Sequence, residues 1–254
     1  MFNFNQNNNF NQNNNFSFAN QESKSIVVPK TFIASVFSWM AVALGITAFF
    51  AYYFSTNEAF FASLYSADTT TGKIGMTGLG WIVMLAPLAF VLVMSFGFNK
   101  LSSGLLTLLF VAFSFLMGMS LSFIFIVYTG GSIFLTFGVT AATFGVMAIA
   151  GYTTNIDLAK FGSIMYMALI GIIIASLVNM FMKSSMLDWI ISIAGVLVFT
   201  GLTAWDVQKL KRIGAGIQFG SEPAKKLIIM GALTLYLDFI NLFLFMLRFL
   251  GNRK

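Results

Sequence analysis

Two aspartates stand in the wrong solvent. The chain holds eight acidic residues, and six of them (Glu22, Glu58, Asp68, Asp157, Asp188 and Glu222) fall in a tail, in loops or at the edge of an apolar run. Water solvates those six at no cost. Asp206, inside VLVFTGLTAWDVQ, and Asp238, inside GALTLYLDFINLFLF, have no such relief. Asp238 is eleven residues into its run, which at a helical rise of about 1.5 Å per residue is near the middle of a bilayer. A carboxylate at that depth costs about 2.5–3.5 kcal/mol, so it ordinarily faces a cavity or a partner and marks function.

The spacing around both residues points them inward. Gly231, Thr234, Asp238, Asn241 and Arg248 are 3, 4, 3 and 7 residues apart, which is one stripe of a helix. In the preceding run Gly195, Phe199, Thr203 and Asp206 share roughly one side. The two runs are consecutive and antiparallel, so the carboxyls can meet. Two like charges in a poorly solvated site do not both ionise easily, and such a pair shares a proton near neutrality. With the proton it ties two helices together; without it the pair repels or recruits a cation. Oxygen donors with no nitrogen or sulfur favour Ca²⁺ over transition metals. The expected chemistry is a proton-gated cation path, with Asp206 and Asp238 as pH sensor and Ca²⁺ ligands. Thr203, Thr234, Asn241 and Asn179 are candidate pore or supporting groups.

Plainer readings stand beside this one. Asp206 could lie at the membrane interface beside Lys209 and Lys211. Asp238 could bond Thr or Asn side chains as interhelical glue, and Asn179 could be a hydrogen-bonded interface residue. Arg248 lies about 15 Å along the axis from Asp238, too far for direct pairing, and reads as an anchor that snorkels outward.

The elements that must position these groups follow from composition. Of 254 residues 58% are hydrophobic and 9% charged, and mean hydropathy is +0.88. Soluble domains have about 45–50% and about 25%. The chain is an integral membrane protein. It has no Cys and no His. That excludes thiolate zinc sites, cysteine nucleophiles, Ser-His-Asp triads and HExxH centres, so neither an enzyme nor a resident cofactor is expected. The net charge of +6 suits an anionic lipid surface better than nucleic acid.

Residues 1–30 form a separate Asn/Gln-rich tail in which FNQNNNF occurs twice, sharing Phe10. Such a stretch buries too little to offset its ordering entropy and reads as disordered. It lacks a basic segment followed by an apolar core, so no cleaved signal peptide is expected. Residues 31–254 form the membrane domain. They contain seven apolar runs of spanning length: Phe32–Phe54, Leu79–Phe98, Gly104–Tyr128, Ile133–Tyr152, Phe161–Met182, Trp189–Val207 and Leu227–Leu250. Irregular backbone is not viable in lipid, so all seven must be helices. Nine Lys and Arg fall on the side of the N-terminus and five on the other, which places the N-terminus in the cytoplasm. The loop after the sixth run, with Lys209, Lys211, Arg212, Lys225 and Lys226, carries most of the excess. Pro87, inside WIVMLAPLAFVL, should bend the second helix and is a candidate gate.

Several blocks together resemble a known family. GLTAWDVQKLKRI and GALTLYLDFINLFLFMLRFLG look like the last two helices of the transmembrane Bax inhibitor motif family, in its bacterial branch. WIVMLAPLAFVL, GMSLSFIFIVYT and GYTTNIDLAKFG fit the same pattern, and the likeness runs from about Phe32 to Gly251. The resemblance implies an all-α, seven-helix fold with the seventh helix central. It also implies a pH-sensitive calcium leak, with the proton sensed by aspartates at the positions of Asp206 and Asp238. Some members carry a basic residue in the second helix that can engage the sensor, whereas Leu79–Phe98 has no charged residue. Suppression of cell death belongs to eukaryotic relatives and is not carried over.

Other classes fare differently. A retinal protein needs a Lys in its last helix, and Leu227–Leu250 has none. A proton-coupled cation transporter could use the same aspartates, although the halves show no convincing repeat. Intramembrane aspartyl proteases use YD and GxGD motifs, which TAWDVQ and YLDFIN match poorly. A membrane scaffold that transports nothing stays open. A Ca²⁺ leak in the bacterial cytoplasmic membrane is the expectation to carry forward.

Overall fold

A computed structural model of the chain describes residues 30–67 and 74–254. The expected tail, residues 1–29, and Asp68 lie outside them. In chain order the elements are α1 (Lys30–Thr56), α2 (Glu58–Leu64), β1 (Tyr65–Ala67), β2 (Ile74–Met76), α3 (Gly78–Gly97), α4 (Ser103–Leu121) and α5 (Ile124–Val127). Then come α6 (Gly130–Thr153), α7 (Ala159–Met182), α8 (Ser185–Ala215) and α9 (Glu222–Leu250). Seven of these units are long and apolar enough to cross a membrane, with α4 and α5 making one span. The fold is the all-α integral membrane bundle that hydropathy demanded.

Hydroxyls and one amide set most of the boundaries. Asn57, Thr77, Ser102, Thr129, Ser184 and Ser221 each precede a helix and accept a hydrogen bond from the N–H three residues on. Each cap satisfies a backbone donor that the helix itself leaves free. Pro223 occupies the first turn of α9, where no amide is needed.

The sixth run was expected to end at Val207, with Lys209, Lys211 and Arg212 in a loop. Instead α8 continues to Ala215. Nothing between Val207 and Ile213 breaks a helix, and charged side chains are no obstacle once the helix has left hydrocarbon. The connection to α9 shrinks to residues 216–221. The segment after α1 was read as a plain loop but holds α2 and an antiparallel hairpin in which Tyr65 faces Met76.

At the centre is α9, which packs against α8, α1, α6 and α4. Leu235, Tyr236 and Leu242 on it are fully buried. The Tyr236 hydroxyl is 2.8 Å from Thr47 Oγ1, and Thr47 donates to the Ser114 carbonyl at 2.9 Å. That small network joins α9, α1 and α4. Phe113 meets the Tyr236 ring edge-on at 5.3 Å. Small residues permit the closest approaches: a Cβ on Gly151 of α6 would collide with the Ala204 backbone of α8. By contrast α7 packs on α8, and α3 mainly on α4.

Candidate functional site: a carboxyl pair between α8 and α9

The C-terminal third of α8 is fixed by the loop between α6 and α7. Gln208 Nε2 donates to the Ile156 carbonyl at 2.7 Å, and its Oε1 accepts from the Leu158 N–H at 2.9 Å. Lys211 Nζ donates to the Tyr152 carbonyl at 2.7 Å, and Arg212 pairs with Asp157 at 2.7 Å. The N–H of Ala159, and then Arg212, hold the Asp157 carboxyl below its usual range. Two of the sequence blocks, TTNIDLAKFG and TAWDVQKLKRI, therefore face each other, and Asp206 lies on the helix they immobilise.

Asp206 and Asp238 come together. Their carboxyl groups lie within hydrogen-bonding reach of one another across the α8–α9 interface. They are 2% and 6% exposed, too deep for water to neutralise two full charges. Asp238 Oδ2 is buried with no protein partner. Asp206 makes no ion pair with a lysine: Lys211 donates to the Tyr152 carbonyl, while Lys209, its Nζ 4.9 Å from the Trp205 ring centroid, stays near enough for its charge to act on both carboxyls. Among the described residues the ion pairs are Arg212–Asp157 and Arg248–Asp188. Arg248, expected as an outward anchor, reaches Asp188 at 3.1 Å and so ties the end of α9 to the start of α8.

Both carboxyls line a cavity of about 660 Å³ between α7, α8 and α9. Thr234 and Asn241 line it too, each donating one hydrogen bond on its own helix, to Met230 O (3.0 Å) and Leu237 O (2.8 Å). Three other candidates lie elsewhere. Thr203 is buried, does not line the cavity, and bonds the Phe199 carbonyl at 2.8 Å. Asn179 caps the end of α7: its Oδ1 accepts from the Ser184 N–H at 3.0 Å, and its carbonyl from Lys183 at 2.7 Å. A polar side chain near a helix end found backbone partners there before it could face a pore. Pro87 is buried on α3, whose main neighbour is α4, and it does not line the cavity.

Sequence reasoning missed Tyr166, Phe245 and the α7 wall. Tyr166 lines the cavity and meets Trp205 edge-on at 5.3 Å. Trp205 directly precedes Asp206, which was the available signal. As a resident metal site the pair is incomplete: among the described residues no three acidic or other ligating side chains cluster. Ca²⁺ takes about 6–8 oxygens.

A polytopic seven-span membrane protein with a buried carboxyl pair between its central helix and a neighbour is the class these observations define. Residues 29–254 match the family described as Inhibitor of apoptosis-promoting Bax1, and the chain belongs to that family. It is similar to the "Inner membrane protein YbhL" of Escherichia coli (strain K12), 48% identical over 91% of this chain and 97% of that one. An uncharacterized protein of Borreliella burgdorferi is 46% identical over 92% of this chain and 97% of its own length. One of Rickettsia prowazekii is 43% identical over 89% and 91%.

Proposed function

We propose that the protein is a pH-sensitive calcium leak of the bacterial inner membrane, gated by the proton that Asp206 and Asp238 share, and that it is not an enzyme. The observation that carries this reading is the contact between two buried carboxyls on neighbouring helices, one of them the central helix. With its proton the pair is a bond between α8 and α9. Without it two negative charges touch in a poorly solvated site, which favours separation of the helices or entry of a divalent cation. The α3 helix has no charged residue, so no basic side chain from it balances the pair. The excess of Lys and Arg on one side supports a cytoplasmic N-terminus.

The test is calcium uptake into proteoliposomes from about pH 6 to pH 8, for the wild type and for Asp206→Asn and Asp238→Asn. Asn keeps the volume but does not titrate, so uptake by each variant should lose its pH dependence. An internal pH dye separates a leak from calcium–proton exchange, because an exchanger built on the same pair moves protons against calcium. Uptake equal to that of empty vesicles at every pH, with folded protein, would overturn the proposal.

A further inference from the structure

The cavity has more in it than a gate requires. From Tyr166 to Met180 its α7 wall runs about 21 Å along the helix axis. The rest of that wall includes Ile172, Ile173 and Leu177, and Phe199 and Phe245 face it from α8 and α9. Tyr166, Ile173, Leu177 and Met180 line the cavity and are exposed, and α7 packs mainly on α8. The cavity is thus reached past α7 from the lipid side, and an apolar molecule could enter sideways. A hydrated ion gains nothing from so long an apolar wall. The polar end holds the two carboxyls, with Tyr166 beside them.

We infer that this cavity binds an amphipathic organic amine, its ammonium group at Asp206 and Asp238 and its hydrocarbon body along α7. Three features select that class. Asp206 and Asp238 are the acidic groups that line the cavity, so its polar end attracts a cation. Carboxylate oxygens facing the cavity accept hydrogen bonds, which an N–H⁺ group supplies and a quaternary ammonium does not. The Tyr166 ring adds an aromatic surface of the kind that attracts cations. The volume, about 660 Å³, is within the ~300–1,000 Å³ of small-molecule sites. The inference uses the same carboxyls as the proposed gate but not ion passage: a chain that conducts nothing would still bind the amine.

The experiment is native mass spectrometry of the full chain in lipid nanodiscs at pH 7, with dodecylamine as probe. Dodecyltrimethylammonium and dodecanol serve as matched chains without an N–H⁺ donor and without charge. One saturable dodecylamine per chain is expected, held at least tenfold more tightly than either analogue. Asp238→Asn should weaken it at least tenfold. Ile173→Trp, which fills the apolar end from the lipid-facing wall and leaves both carboxyls in place, should do the same. Thermal melts confirm that both variants fold. Equal binding of amine and dodecanol would mean that a chain of any kind fills the groove, and would overturn the inference. So would undiminished binding by Asp238→Asn, equal binding of the quaternary analogue, or no uptake beyond that of empty nanodiscs.

Discussion

The α9 helix and the α7 helix are written in nearly the same alphabet and live in different places. Both are long, apolar and uninterrupted, yet 67% of the spanning window of α9 is buried in protein against 11% for α7. Hydrophobicity does not distinguish them, because lipid and a protein core are equally apolar solvents. What differs is the polar content. Thr234, Tyr236, Asp238 and Asn241 on α9 need partners inside protein, whereas α7 between Tyr166 and Leu177 has only Ser176 to satisfy. In a membrane bundle the polar minority identifies the core, and the apolar majority only reports that a span exists.

The sharpest way to break that comparison is one truncation made in both helices. Leu235→Ala on α9 removes a fully buried side chain and is expected to cost about 2–5 kcal/mol. Ile170→Ala on α7, where the side chain is exposed to lipid, should stay within about 0.5 kcal/mol. Reversible unfolding in mixed micelles measures both, and equal losses would contradict the placement of α9 at the centre. A smaller effect refines the same point. Tyr236→Phe keeps the ring against Phe113 and deletes the hydroxyl at Thr47, so a loss of about 1 kcal/mol is expected in the same assay.

The smallest effect concerns the other kind of carboxylate. Asp157 is exposed in the α6–α7 loop, and its carboxyl is held low by the Ala159 N–H and by Arg212. A carboxyl depressed in the folded state adds stability above its unfolded value of about 3.9, and that stability is lost as pH falls below it. Asp157→Asn should therefore melt below the wild type, by the same margin at pH 6 and at pH 8. It should differ from the wild type by less and less as the medium is acidified below about pH 4. Any influence of Asp157 on calcium uptake near neutrality would blur the line between loop and buried carboxyls.

Much of the fold was legible because lipid allows so few answers. Seven spans and their order follow from apolar length and from the polar breaks between the runs. The extension of α8 through Lys209, Lys211 and Arg212 was not legible, since charge marks the end of hydrocarbon and not the end of a helix. Neither was the hairpin of β1 and β2, whose three-residue strands carry too little pattern. In the site, Asp206 and Asp238 could be found from their cost alone, and their meeting needed only two neighbouring helices. Thr234 and Asn241 followed from the stripe. The places of Asn179 and Thr203 were not legible, because a short polar side chain in a helix has backbone partners within reach and sequence does not show which it takes. Tyr166 escaped because an aromatic residue near a helix end usually signals the membrane interface.

The central claim is that Asp206 and Asp238 act as one unit and not as two polar residues that share a cavity. The most direct measurement is a double-mutant cycle on calcium uptake, with Asp206→Asn, Asp238→Asn and both together, taken at pH 6 and at pH 8. If one proton is shared, each single substitution removes the difference between the two pH values, and the second changes nothing further. Independent, additive effects, or a pH difference that survives in the double variant, would contradict it.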